Sequence, residues 1–410
     1  RYRCGGDKLL QGMRLGPESF RFEWEFPDGR RALMRRAGWA DVDALRALYF
    51  ATYGDRYGLP EVVDDERCRH VLTSSDWFWL LTECEGRVIA SLIFGLESRH
   101  RLGKTFGGVV EPEFRGHKIM QVMLREGLGL LLCEGGPFDL VYAVVRTFVS
   151  LNFHLDLAEL GFVDVGVFPN VRKVQHYETH GLKVCLGEVA VRDRRRTPEL
   201  IPELITLYDI TRKKLGFEPA RRVMVQRDPP PLERMELIER AEVGKGVDTN
   251  RIRFLWRTSR GLEFSFFPLH LPNLILTDQS GAVRVFLCLQ ERDGHASILG
   301  IRFGGFDRAE VLLSVADYCQ ERGATYLELL VSAYEPEDQA LAYRSGFLPC
   351  AYFPAAEVDA SGRRADVVIT SKTFVPLHFR GLKLPEQTKP YLLEFYKTYT
   401  AHLWEELMDA

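Results

Sequence analysis

The chain has 410 residues, 46% hydrophobic and 27% charged, with a formal net charge of −3. That length exceeds one ordinary core and suits two or three domains, and that composition excludes a disordered chain. The near-neutral balance excludes a global pull toward nucleic acid or an anionic membrane, so the basic clusters Arg30-Arg31, Arg35-Arg36 and 192–196 read as solvated faces or linker charge.

Residues 1–30 carry no signal-peptide pattern and read as an N-terminal extension. Residues 32–36 then predict a strand and 41–53 a helix with Asp41 as its N-cap. Three antiparallel strands are predicted over 77–84, 88–97 and 104–110, the first two joined by a Glu85-Gly86 turn. Over 119–133 the apolar residues Ile119, Met120, Met123, Leu124, Gly127, Leu128 and Leu131 share one helical face. A buried strand follows at 139–145, then a helix at 151–160 that Gly161 closes in the left-handed region before Phe162 opens a strand. Residues 184–191 predict another strand and 198–215 a helix. Pro229-Pro230-Pro231 breaks the chain ahead of a polar helix over 232–241. The aromatic-rich stretch 389–408 predicts an amphipathic helix packed on the core or on a partner subunit, which makes a homodimer one expected assembly.

Two pairs of signals recur about 190 residues apart and in the same order. Thr82 precedes the turn glycine Gly86 by four positions, as Thr277 precedes Gly281. Gly161-Phe162 is followed by Phe168-Pro169, and Gly346-Phe347 by Phe353-Pro354, each after a strand and a helix. The expected fold is therefore α+β, with two tandem copies of one mixed, mostly antiparallel sheet flanked by helices. Their bounds are 31–183 and 184–380, with 381–410 as a C-terminal helix. The eight cysteines form no C-x-x-C pair and no even spacing, which argues against a metal site or a disulfide framework and for a reducing, cytoplasmic setting. No apolar run approaches the ~20 residues that cross a bilayer.

The segment that carries chemistry is Val109-Val110-Glu111-Pro112-Glu113-Phe114-Arg115-Gly116-His117-Lys118-Ile119-Met120. It reads as a strand, a loop with one glycine, and the start of an apolar helix. Successive backbone N–H groups at such a helix start form a concave, electropositive nest suited to a pyrophosphate. Gly116 lets the backbone approach a ligand, and Arg115, His117 and Lys118 add cationic side chains.

At these residues the sequence resembles the GNAT acyl-CoA N-acyltransferase superfamily, whose cofactor loop reads [Q/R]-x-x-G-x-[G/A] between a strand and a long helix. Gly116 matches and Arg115 precedes it as is usual; Glu113 and Lys118 depart from the first and last positions. The resemblance implies acetyl-CoA or another acyl-CoA as cofactor. It also implies pairing of its pantetheine arm with Val109 and Val110, a diphosphate held by the loop from Arg115 to Met120, and a cofactor contact from Asn152. It implies transfer of the acyl group to a small-molecule amine, and 167–173 is similar to the β-lysine N-acetyltransferase branch, which points to amino-acid-like acceptors. The family's general acid is often a Tyr at the position held here by Leu157. Glu97, at the end of the 88–97 strand, and His154, an imidazole of ordinary basicity, are the expected catalytic groups. Glu111 and His100 are lesser alternatives. The acceptor pocket is expected in the cleft between the copies, lined by aromatic strands such as Trp77-Phe78-Trp79. The second copy lacks the cationic loop, since Gly304-Gly305-Phe306-Asp307 stands in its place. A long-chain acyl or aminoacyl transferase, or a non-catalytic module that binds acyl-CoA or a partner, are the other readings.

Overall fold

The computed structural model describes residues 20–54, 60–133, 135–147, 151–173, 176–226, 233–239 and 249–409, with the backbone alone at 60, 151, 152, 406 and 409. The chain divides into two compact units: Arg1–Ala143, Asn152–Phe162 and Val184–Arg192 form one, and Val144–Leu151, Val163–Lys183 and Asp193–Ala410 the other.

The first unit opens with an antiparallel run of β1 (Arg21–Glu25), β2 (Arg31–Arg36), β3 (Trp77–Cys84), β4 (Arg87–Glu97) and β5 (Leu102–Val110). The sequence reading placed β1 within the N-terminal extension. Between β2 and β3 lie α1 (Val42–Tyr53), α2 (Pro60–Val63) and α3 (Asp65–Thr73). Successive strand side chains point to opposite faces. Trp79, Leu81 and Ile93 therefore meet Leu45, Leu48 and Tyr49 of α1 and Val71 of α3, while Leu80 and Phe94 meet the other face. There they receive α4 (Ile119–Leu131), whose Gly127 comes so close that an added Cβ would lie 2.6 Å from Phe94. Each fully buried aliphatic chain in such a two-faced sheet contributes about 1.5–3 kcal/mol. Helix α4 returns the chain to β6 (Leu140–Arg146), which pairs with β5 in parallel; α5 (Leu151–Glu159) follows.

The remaining elements follow in chain order. They are β7 (Val163–Lys173), β8 (Tyr177–Leu186), α6 (Glu188–Arg192), β9 (Glu199–Leu200), α7 (Pro202–Leu215), β10 (Arg221–Arg222), β11 (Ile238–Glu239), α8 (Thr249–Thr258), β12 (Leu274–Thr277), β13 (Arg284–Gln290), β14 (His295–Arg302), α9 (Arg308–Glu321), β15 (Tyr326–Ser332), α10 (Pro336–Arg344), β16 (Leu348–Val358), β17 (Arg364–Thr373) and α11 (Lys389–Asp409). In the larger sheet the second unit's strands lie in the order β8-β7-β16-β17-β15-β14-β13-β12-β11, and the pairs from β7 to β11 are antiparallel except for the parallel β14–β15 pair; β9 and β10 form a separate parallel pair. Along the chain, β12-β13-β14-α9-β15-α10-β16-β17 repeats the succession β3-β4-β5-α4-β6-α5-β7-β8. Both Gly161 (φ +87) and Gly346 (φ +80) are left-handed where the last helix of each series stops, as the sequence predicts.

Two expected elements differ. The strand placed at 184–191 ends at Leu186: Gly187 donates to the carbonyl of Asp139 at 2.9 Å, and Glu188 starts α6 instead. Of the polar helix expected over 232–241, residues 233–239 are described and none is helical; Ile238 and Glu239 pair with Thr277 and Leu276, and the rest lies outside the described residues. The free edge of β12 offers backbone partners that outweigh local helix propensity.

Candidate active site

The site forms where β5 leaves its parallel neighbour. The β5–β6 ladder holds Leu102↔Leu140, Gly103↔Val141 and Lys104↔Tyr142, and β5 continues to Val110 without further β6 partners among the described residues. Against β4, the register shifts between Ser91 and Ile93: Ser91 faces Val109 and Ile93 faces Phe106, so β5 carries one extra residue. Gly107, with φ +63, takes the left-handed turn that this bulge needs. Glu111 donates to the Ile89 carbonyl at 2.9 Å, which makes Ala90↔Val110 the wide, non-bonded pair. Val110 therefore turns its N–H and C=O away from β4, toward the open edge; its carbonyl accepts from Arg115 Nε at 3.2 Å.

Side chains from α1 fasten the bulge. The Tyr49 hydroxyl donates to the Gly107 carbonyl and lies 3.0 Å from Ser91 Oγ, which accepts the Trp79 indole N–H at 2.7 Å. One turn later, the Tyr53 hydroxyl donates to the Gly108 carbonyl at 3.3 Å. Gly108 also leaves room for Met120, whose Cε lies 3.2 Å from where a Cβ would stand. That contact lays the first turn of α4 against the bulge.

The loop into α4 is anchored at one end and open at the other. Phe114 is buried, its ring beneath the guanidinium groups of Arg30 and Arg87 at 4.6 and 5.4 Å. Arg87 also pairs with Glu111 at 3.1 Å and with Glu113, so the two loop carboxylates are turned toward a cation. His117 Nδ1–H donates to the Phe114 carbonyl at 3.2 Å. Gly116 has φ +88, and a Cβ there would meet nothing within 4 Å. Lys118 is the N-cap of α4 at φ +55, and its own side chain makes no capping hydrogen bond. The helix thus presents uncapped N–H donors and partial positive charge beside an open backbone. This donor set fits a diphosphate, and the outward amide edge at Val110 fits an amide-bearing arm.

The structure brings Val109, Val110, Arg115, Gly116, His117, Lys118, Ile119 and Met120 to this one place. It does not bring Glu97 there. Glu97 stands six residues from Ser91 along β4, about 20 Å away at the usual rise, and its carboxylate accepts from the His100 N–H at 2.7 Å in the β4–β5 turn. His154 lies in α5 and is 4% exposed. Helix α5 does flank α4: Gln121 Nε2 donates to Glu159 at 2.6 Å. Burial and then Glu159 push the Asp156 carboxyl up, with Lys118 opposing. Asn152 is in the first turn of α5, and its side chain lies outside the described residues. Leu157, at the acid position implied by the resemblance, is fully in the core. Trp79, of the aromatic run expected in a pocket, is a core residue with its N–H on Ser91. Sequence reasoning missed Tyr49, Tyr53 and Ser91. The signal was the Gly107-Gly108 pair inside a strand, which marks a bulge.

No protein-family model and no curated protein matches the chain. Solved structures to which it is similar include several acetyltransferases, matched over about 38% of its length. One is the acetyltransferase of the GNAT family from Streptococcus pneumoniae, at 18% identity and TM-score 0.33, covering 38% of this chain and 99% of that one. A second is the ribosomal-protein-S5-alanine acetyltransferase from Vibrio fischeri, at 15% identity and TM-score 0.34, covering 41% of this chain and 97% of that one. A third is a ribosomal L7/L12 alpha-N-protein acetyltransferase solved in complex with coenzyme A, at 15% identity and TM-score 0.32, covering 38% of this chain and 94% of that one. Among the described residues no helix is long and apolar enough to cross a membrane.

Proposed function

We propose that the first unit binds acetyl-CoA or another acyl-CoA and transfers its acyl group to a small amine or amino-acid-like acceptor. The observation that carries this reading is the coincidence of three features at one strand end: a β5 edge that has no β6 partner beyond Lys104 among the described residues, a bulge at Gly107, and a helix start at Lys118 that its own side chain does not cap. A bound acyl-CoA would supply an activated thioester. The amides from Gly116 to Met120 would hold the diphosphate, and the Val110 edge would align the arm. Backbone N–H groups near the bulge would stabilise the oxyanion as the amine nitrogen bonds to the carbonyl carbon and the C–S bond breaks. Burial of Leu157 leaves no phenol there to protonate the leaving sulfur. A thiolate whose conjugate acid has a pKa near ~8.5 leaves without such help, and the amine's proton goes to solvent or to the sulfur. The repeated element order supports reading the chain as two copies of one fold.

The test is calorimetric titration with coenzyme A, followed by thiol release from acetyl-CoA across a panel of amines. Gly116→Asp adds bulk and negative charge at the open loop and should weaken coenzyme A binding at least ~10-fold. Unchanged affinity would remove the loop from the proposal. Binding without thiol release from any acyl chain length would favour a non-catalytic acyl-CoA-binding module.

A further inference from the structure

The second unit repeats the open strand edge and fills it with its own chain. β14 and β15 pair through His295↔Tyr326, Ala296↔Leu327 and Ser297↔Glu328, although β14 runs to Arg302 and β15 to Ser332. A bulge shifts the β13–β14 register between Phe286 and Leu287, and Val285↔Ile301 stands beside it as Ala90↔Val110 stands beside the first bulge. Ile301 donates its N–H to the Glu263 carbonyl at 2.8 Å and accepts from the Glu263 N–H at 2.7 Å. Both groups of Ile301 are thus used on the side away from β13, where β15 lies. The Trp256 indole N–H donates to the Leu299 carbonyl at 2.8 Å. Gly300 leaves room for Leu262, whose Cδ1 is 3.2 Å from where a Cβ would stand.

The head of α9 is closed in the same way. Its N-cap Asp307 accepts from the Glu310 N–H at 2.9 Å, where α4 has no side-chain cap. Its first residue, Arg308, pairs with the Glu263 carboxylate at 2.6 Å and with Asp338 at 2.7 Å. Phe264, next in the chain, holds φ +52, a left-handed backbone that costs a non-glycine residue about 1 kcal/mol or more.

We propose that residues 256–264 are a resident strap occupying the opening between β14 and β15, so that the second unit takes no acyl-CoA. The Glu263 peptide meets β14 as an amide arm would meet Val110. Its carboxylate, held by Arg308, supplies the negative charge that a phosphate would bring to the start of α9. The chain then binds one acyl-CoA, in the first unit. That count rests on the function proposed above; the strap itself does not.

The test uses the full chain. Native mass spectrometry counts bound coenzyme A, and hydrogen exchange reads the Ile301 amide. The expected results are one coenzyme A per chain, none for Gly116→Asp, and an Ile301 amide that is protected and indifferent to added coenzyme A. Glu263→Pro removes a backbone donor and the carboxylate, and should speed exchange at Ile301 at least ~10-fold. If that variant does not fold, Glu263→Ala, which removes the carboxylate alone, should speed it by a smaller factor. Two coenzymes A per chain, or an Ile301 amide in the native chain exchanging as fast as an exposed loop, overturns the strap. An absence of coenzyme A on the native chain sinks the function of the first unit instead, and Ile301 exchange still decides the strap.

Discussion

Tyr49 holds Gly107 by its carbonyl: a phenol buried in α1 reaches the left-handed residue that makes β5 bulge. The contact links helix packing to strand geometry, because the same oxygen touches Ser91 across the register shift. Tyr49→Phe keeps the ring and removes the donor. The expected loss of stability is about 1 kcal/mol, with a larger effect on turnover than on coenzyme A affinity. Denaturant midpoints together with separate kcat and KM values check this. A fall in stability with unaltered turnover would make Tyr49 structural only.

Lys118 occupies a left-handed position at the head of α4. Glycine there should relieve strain, so Lys118→Gly is expected to raise stability by about 1 kcal/mol. It also removes a cation from the proposed diphosphate site, so coenzyme A affinity should fall several-fold, more at low salt than at high salt. Thermal melts and titrations at two ionic strengths separate the two effects.

Acid stability should depend on Glu178. Burial pushes its carboxyl up, but hydrogen bonds from His180 and Arg146 outweigh this and hold it at about 2, against an ordinary 4.5. A folded value below the unfolded one means stability that is complete above pH 4.5 and lost as pH falls toward 2. His180, pushed down by its burial, adds a further loss below its ordinary 6.5. Glu178→Gln should lower stability at neutral pH and flatten the acid limb. Urea midpoints at pH 7, 4.5 and 3 read both changes.

The second unit contains an ion pair with almost no access to water. Arg194 Nε donates to Asp366 at 2.8 Å, and the carboxylate also accepts from the Ala355 N–H at 2.8 Å and from the Tyr352 hydroxyl. Asp366→Asn leaves the guanidinium without its counter-charge and should cost about 3–5 kcal/mol. Chemical denaturation of the full chain measures it. A cost under about 1 kcal/mol would mean that water enters the site.

Periodicity made α4 legible, and β3 and β4 stood out because their residues are largely apolar on both faces. The loop at Gly116 was legible because a strand, a glycine and an apolar helix start follow one another in sequence. What failed was everything set by register. Glu97 sits on the expected strand, but alternation does not say which strand end lies at the bulge, and Glu97 lies at the other. Tyr49 and Ser91 are 42 positions apart and meet only through folding. The edge strand at Ile238 was invisible because its partner, β12, supplies the reason for it.

The pairing of β7 with β16 bears on how this gene can be divided. Gly166 faces Ala351, Asp164 accepts from the Thr388 hydroxyl at 2.7 Å, and Asn170 donates to the Pro376 carbonyl at 2.9 Å. A polypeptide ending at residue 183 would therefore carry a two-stranded hairpin stripped of its natural neighbour, with bare amides along one margin, although Asp164 keeps its ion pair with Lys183 at 2.8 Å. Such a fragment invites sticking to its own kind. Expressing the halves apart should yield insoluble material where the intact chain stays in solution.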